Sequence, residues 1–504
     1  MSQPATTFSN VLEVVTDSRL DNLAASLASR VAEPLADVMA PEWIAVPSAG
    51  LQRWLTLELS RRLGTSGSGR HDGVAGNLDL FFPGTLHHRV LGPEANGDSG
   101  VTPDPWDVER MAWVVLEVLQ EHGDAPPLAH LARRDDGTSI WRRARHCADL
   151  FDRYTLHRPE MIVRWHAGSD VDAAGAPLGD RAGWQPTLWR LVRERIGVPS
   201  SAELMQDRLS AIARGDCPDE VPERVSLFGI TTIPGGQPFL GMLDALATQR
   251  DVHLYLHTPS EVMASEVRRA MTASTAPPRE RSEDPGTEVT EHPLLQSWGR
   301  SSREASLLLG ARVDAVESAA PADRAEHAPT LLKKLQADIR ADRAPSEDFT
   351  PEPDDRSVRI HSCFGNTRQV EVLRDQILHL LAADPTMTEE DIVVLCPRLD
   401  DFAPLIESVF GPSAPTAPRS GTDAADRHGA TPSIRYRITD RSLRTTHTLL
   451  SAVGALVELL GSRFSDAALL EFASLEPVRT RFRFSDDDLA QLAEWVSTAN
   501  TRWG

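Results

Sequence analysis

Residues 225–257 constrain this fold more than any other stretch of the chain. Residues 225–228 read as a short apolar strand, and Gly229 with Pro234-Gly235-Gly236 reads as a connection. Residues 239–248 then read as a helix and residues 252–256 as a second strand. Two strands joined through so short a helical crossover must run parallel, with helices covering the sheet faces. The expected fold class is therefore α/β. A second strand–turn–helix supports it. Residues 43–46 are apolar, Pro47-Ser48-Ala49-Gly50 break the run, and Ser48 suits the N-cap of a helix over 51–63 that stops at Gly64. At 504 residues the chain is too long for one core, and roughly three domains are expected at about 150 residues each.

The turn at 47–50 is where a P-loop protein carries its phosphate loop, and lysine usage decides what the turn can do. Of 52 basic residues only Lys333 and Lys334 are lysine. A Walker A loop needs a lysine to reach the β- and γ-phosphates, and none is near. Nuclease sites that end in Asp/Glu-x-Lys fall to the same count. A Walker B strand would end in two acids that hold Mg²⁺ and polarise water, whereas the best candidate strand ends in Gly229. The layout is that of an ATPase and the chemistry is missing. Neither a Gly-x-Ser-x-Gly elbow nor a Gly-x-Gly-x-x-Gly fingerprint occurs. The net charge of −21 argues against wholesale wrapping of nucleic acid, but not against a local arginine-lined channel. Cys147, Cys217, Cys363 and Cys396 lie far apart, which suits a reducing cytosol better than a disulfide framework. No signal peptide is visible at the N-terminus, and no run of about 18 apolar residues suggests a membrane span.

Helices are expected from Thr85, after an N-cap at Asp107, over 139–156, 184–196 and 201–213, with a short strand at 77–81. Residues 272–291 and 344–355 read as insertions or linkers, and 412–432 as a loop poor in apolar residues. Between the last two, a second α/β pattern is expected, with strands at 358–362 and 392–395 and helices at 367–382 and 400–410. The last seventy residues read as mostly helical.

The helix over 139–156 carries the richest polar pattern. Trp141, Ala144, Ala148, Phe151 and Thr155 share one arc, and Arg142, Arg145, Asp149, Asp152 and Arg153 share another, about 100° wide. A solvated face laced by i,i+4 pairs, Arg145–Asp149 and Asp149–Arg153, is the more probable use of that arc on sequence alone. A face turned to nucleic-acid bases is the sharper one, because arginine grips guanine edges and phosphates while aspartate accepts from cytosine. Arg53 and Trp54 beside the glycine turn suit a base or a phosphate, although Trp54 fits the core better. His253 and His257 point one way along a strand with no third ligand in sequence reach, so no metal site is expected. His71-Asp72 resembles a hydrolase dipeptide, but a glycine-rich loop explains it better.

Several long segments together resemble the RecC family, the exodeoxyribonuclease V gamma subunit of RecBCD. They are VPSAGLQRWL (46–55), ADLFDRYTLHRPE (148–160), LFGITTIPGGQPFL (227–240), HPLLQSWGRSSRE (292–304), RQVEVLRDQIL (368–378), EEDIVVLCP (389–397), ITDRSLRTTH (438–447) and WVSTANTRWG (495–504). The resemblance implies degenerate superfamily 1 helicase-like, P-loop NTPase-like lobes with an inserted helical subdomain. On that pattern 1–342 is the first lobe, with the helical insertion at about 100–215. Residues 343–356 form a linker and 357–504 begin the second lobe. Family chains extend well beyond this length, so this one reads as an N-terminal part, with the C-terminal nuclease-like domain missing.

The resemblance further implies a cytoplasmic DNA-repair subunit, with no membrane contact and no catalytic, cofactor or metal residues of its own. It would join a RecB-like helicase-nuclease and a RecD-like helicase, which use ATP and Mg²⁺. It would also bind a duplex end and scan the 3′ single strand for Chi. Asp149, Leu150, Asp152 and Arg158 match the family's channel positions. Arg53 and Arg153 stand at channel positions with a different side chain, as do Pro47, Ala49, Phe82, His88 and Ser201. An AddB-type helicase-nuclease subunit, a pure scaffold and a stand-alone hydrolase are the rival readings.

Overall fold

A computed structural model describes residues 12–63, 73–91, 104–132, 139–179, 181–218, 220–272, 284–310, 316–318, 330–346, 349–411, 434–439, 447–460 and 464–499. The expectations that rest on His71-Asp72, on Gly64, on the loop at 412–432 and on most of 438–447 lie outside these residues. The chain divides into two compact units, residues 1–358 and 359–504.

The first unit is built on a six-stranded, wholly parallel sheet. Its elements in chain order are β1 (Glu13–Asp17), α1 (Leu20–Val31), β2 (Glu42–Ala45), α2 (Ala49–Arg62), β3 (Leu78–Phe81) and α3 (Pro83–Leu91). The chain then runs through α4 (Val108–His122), α5 (Ala129–Ala132), α6 (Ile140–His157), α7 (Pro159–His166), α8 (Trp184–Ile196) and α9 (Ser201–Ala213). It returns with β4 (Arg224–Ile230), α10 (Gln237–Ala247), β5 (Asp251–His257), α11 (Glu261–Thr272), α12 (Pro293–Trp298), α13 (Arg300–Leu309), β6 (Val316–Ser318) and α14 (Leu331–Arg340). Strand order is β3-β2-β4-β5-β1-β6. The expected crossover is present: Val225 pairs with Val252 and Leu227 with Leu254, in parallel.

Period-two alternation builds the two faces. Val14, Ala45, Leu227 and Leu254 point into one apolar cluster with Phe239, Leu240 and Leu243 of α10. Their neighbours Val15, Ile44, Phe228 and Tyr255 point into the other, with Leu23 and Leu27 of α1 and Leu55 and Leu59 of α2. β4 is buried along its whole length, as a central parallel strand must be.

Between α3 and β4 the chain leaves the sheet and forms a separate helical core. Trp106 stacks on Trp189 at 4.9 Å, Phe151 meets Trp189 edge-on at 5.4 Å, and Val115, Ala148 and Ile162 fill the space between them. Caps fix where these helices begin. Asp107 accepts from the Glu109 N–H and Ser139 from the Arg142 N–H, while Ser200 and Glu203 form a reciprocal capping box.

The second unit contains α15 (Asn366–Ala383), α16 (Leu399–Phe410), α17 (Thr448–Leu460), α18 (Asp466–Ser474), α19 (Glu476–Phe482) and α20 (Asp486–Ala499). The two strands expected here do not form. Residues 358–362 and 392–395 join no sheet among the described residues, with Ile360 94% and Leu395 90% exposed. A β-prone apolar run becomes a strand only when another backbone receives its hydrogen bonds, and among the described residues of this unit none does. No described helix is long and apolar enough to cross a membrane.

Candidate nucleic-acid interface

α6 ends where Arg158 meets Pro159. The residue before a proline is pushed out of helical geometry, and Arg158 adopts φ −142°, ψ 48°. Its N–H still donates to the Tyr154 carbonyl at 2.8 Å, and Pro159 opens α7. Arg158 is thereby set on an exposed corner, its guanidinium 5.6 Å from the centre of the Tyr154 ring. Tyr154 is itself held edge-on against buried Trp165 at 5.8 Å.

The loop after β4 fixes this corner against the sheet. Gly235 has φ +66°, and a Cβ there would meet the Leu156 side chain at 3.1 Å and its carbonyl at 3.2 Å. Only glycine combines that backbone with that approach. The end of α6 therefore lies beside the carboxyl ends of the parallel strands, where α/β sheets place their ligands.

Asp149, Leu150, Asp152, Arg153 and Arg158 all belong to α6 or its cap. Arg145 bridges Asp149 at 3.4 Å and Glu109 of α4 at 2.7 Å, so one of the two expected i,i+4 pairs forms. No ion pair joins Asp149 to Arg153 among the described residues. Crowding raises the Asp152 carboxyl above its ordinary range while His88 of α3 draws it down; the side chain still opens to solvent, which limits the effect. His88 contacts Asp104 at 3.2 Å, and that bond raises its imidazole above the usual value. The adjacent His87 is buried, which lowers it to about 4 and keeps it neutral. Phe82, between β3 and α3, is half-exposed. Arg53 is exposed on α2, and no bond ties it to α6 among the described residues. Trp54 stacks on Phe228 at 6.3 Å, which places it in the core as expected.

The β2–α2 turn is a short connection from a parallel strand into a helix, as expected. Ser48 caps α2 by accepting from the Leu51 N–H at 3.2 Å. Hydrocarbon fills the space beside it. Gly229 at the end of β4 has φ +67°, and a Cβ there would come within 2.5 Å of Leu51 Cδ2. The two lysines are elsewhere, on α14, where Lys334 pairs with Asp338.

One polar cluster escaped the sequence reading. At the amino-terminal edge of the sheet, fully buried His253 places Nδ1 3.0 Å from Glu13 and Nε2 3.0 Å from Asp251. Burial opposes its protonation, but the two carboxylates outweigh burial and raise its pKa. Three possible metal donors converge here. Each carboxylate lies nearest a different ring nitrogen, with neither aligned for a hydrogen bond, so charge rather than bonding geometry joins the three. Arg224 continues the row, 2.8 Å from Glu42 and 3.4 Å from Asp251. The signal in the sequence was weak because Glu13 and His253 meet only through the β1–β5 register.

Comparison with known proteins gives consistent matches. Residues 12–342 match the family model described as RecC, N-terminal domain, and residues 446–504 match the RecBCD enzyme subunit RecC fourth domain. The chain is 35% identical over 501 residues to the RecBCD enzyme subunit RecC of Mycolicibacterium smegmatis, covering 96% of this chain and 42% of that one. It is 35% identical over 498 residues to the protein of that name from Mycobacterium tuberculosis H37Rv, covering 96% and 43%. The Escherichia coli K12 protein of the same name is 30% identical over 543 residues, covering 98% and 45%. The chain thus spans less than half the length of these relatives.

Proposed function

The chain belongs to the RecC family, and on that footing we propose that it reads single-stranded DNA within a RecBCD-type recombination complex. A RecB-like partner supplies ATP hydrolysis and cleavage with Mg²⁺, and a RecD-like helicase joins it in the cytoplasm. On this reading the sheet-bearing unit is a helicase-like lobe (1–342) with a helical insertion at about 100–215. Residues 343–356 link it to the beginning of a second lobe at 357–504. The chain performs no ATPase or nuclease step of its own.

The observation that carries the proposal is the packing of Gly235 under Leu156. It holds the end of α6 near the carboxyl ends of the strands, which supports a reading in which Asp149, Asp152 and Arg158 face a passing strand. Their roles follow from chemistry. Arg158 offers a guanidinium to a phosphate or a guanine edge, and the two aspartates accept from base amino groups. Leu51 against Gly229 supports the non-catalytic half of the reading, since hydrocarbon fills the space beside the phosphate-loop turn.

Two measurements test this. Arg158→Ala is expected to weaken binding of a short oligo(dT) several-fold and to flatten its salt dependence by about 0.7 in log–log slope, the value of one lost phosphate contact on a single strand. Unchanged binding favours a pure scaffold. The purified chain is expected to show no ATP turnover; turnover abolished by a substitution within it overturns the non-catalytic assignment.

A further inference from the structure

A further stripe of α6 begins near its amino-terminal end, about two turns before Asp149. Arg142, His146, Leu150 and Arg153 are spaced i, i+4, i+8 and i+11, which places them on one stripe of the helix. At the start of that stripe a cavity of about 350 Å³ opens between α5, α6 and α8. Its floor is apolar, from buried Leu131 and Cys147, and Leu150 and Trp184 form its walls. Exposed Arg142 and His146 lie at its mouth. Arg143 also lines it and donates to the Leu131 carbonyl at 2.9 Å.

Three features identify what fits. The volume is near the lower end for ligand pockets, suited to one small planar group. The indole of Trp184, braced edge-on by His130 at 5.7 Å, gives that group a surface to stack on. No carboxylate pairs with Arg142 or His146 among the described residues. α6 carries four arginines against two aspartates in a chain whose net charge is −21. A stacking wall beneath a mouth that carries an arginine and a histidine is the pairing that an unpaired nucleotide needs, base inside and phosphate outside.

We propose that this cavity seats one nucleotide of single-stranded DNA, its base against Trp184 and its phosphate at Arg142 and His146. The strand that passes the Arg158 corner then continues along α6 through Arg153 and Leu150. This rests on the strand-reading function above and adds a contact that function does not require. From residue 142 to residue 158 the path is about 24 Å at about 1.5 Å per residue, room for several nucleotides.

The test measures anisotropy of labelled oligo(dT) across a salt series with the whole 504-residue chain. Arg142→Ala combined with His146→Ala is expected to weaken binding about tenfold and to flatten the log–log salt slope by about 0.7 for the lost guanidinium contact. Trp184→Leu is expected to weaken binding about tenfold without moving the slope, and Trp184→Phe to retain it. Circular dichroism confirms that each variant is folded. Unchanged binding in the double variant overturns the pocket. If Arg158→Ala still weakens binding in that case, strand reading stands; if it does not, both fall. Weakening by the pocket variants with none by Arg158→Ala keeps the pocket and overturns the corner. No binding at low salt overturns both. Oligoglutamate competing as well as oligo(dT) overturns the pocket in favour of an acidic peptide, and thymidine monophosphate competing equally overturns it in favour of a free nucleotide.

Discussion

Arg224 is the residue on which the sheet edge depends most. Its guanidinium is nearly inaccessible and serves Glu42, Asp251 and the carbonyls of Arg30 and Glu33. Removing one partner of a buried pair leaves the other charge uncompensated, at about 3–5 kcal/mol. Arg224→Ala is expected to cost about 3 kcal/mol in urea unfolding. His253 tests the same edge by pH. Its pKa is raised in the fold, so its contribution is complete below about pH 6.5 and is lost as pH climbs through the folded value. His253 lowers the Glu13 carboxyl, and at Asp251 the imidazole outweighs burial to the same end. The contributions of these two are complete above about pH 4.5 and are lost as pH falls through the lowered values. The network is therefore at full strength between about pH 4.5 and 6.5. His253→Gln is expected to flatten the fall in melting temperature above pH 6.5 relative to wild type. None of this was legible in the linear sequence, because each pair spans strands that only the sheet brings together.

Elements were more legible than contacts. The parallel crossover around β4 and β5 follows from turn residues and helical period, as do the starts of α2, α4 and α6 at Ser48, Asp107 and Ser139. Local rules govern those features, so local sequence carries them. The strands expected at 358–362 and 392–395 failed for the complementary reason: strand pairing is not local, and apolar patterning cannot say whether a neighbour exists. The candidate site was legible in part. The polar arc of α6 and the break at Arg158-Pro159 are readable, whereas the buttress of Gly235 on Leu156 is not. Gly235→Val tests that buttress. With φ +66° and Leu156 at 3.1 Å, it is expected to destabilise the first unit by about 2 kcal/mol or more and to weaken oligo(dT) binding even where folding persists.

At the scale of the molecule, the two units differ in how much each buries. The first holds the sheet and its two apolar faces together with the helical core. In the second, α17 exposes Leu449, Val453, Val457 and Leu460. Hydrogen exchange is expected to separate them, with slow amides across β2, β4 and β5 and fast ones at 360–364 and 393–396, which pair with no strand among the described residues. Equal protection in both overturns that contrast. Leu51 against Gly229 carries a consequence of a mechanical kind. A motor lobe alternates between loaded and empty forms at this turn, and its geometry changes with each cycle. Packed hydrocarbon has one arrangement only. If the chain reads passing DNA as proposed, its contacts must keep a fixed spacing while a partner motor moves, and a turn backed by hydrocarbon would give it an unchanging frame of reference.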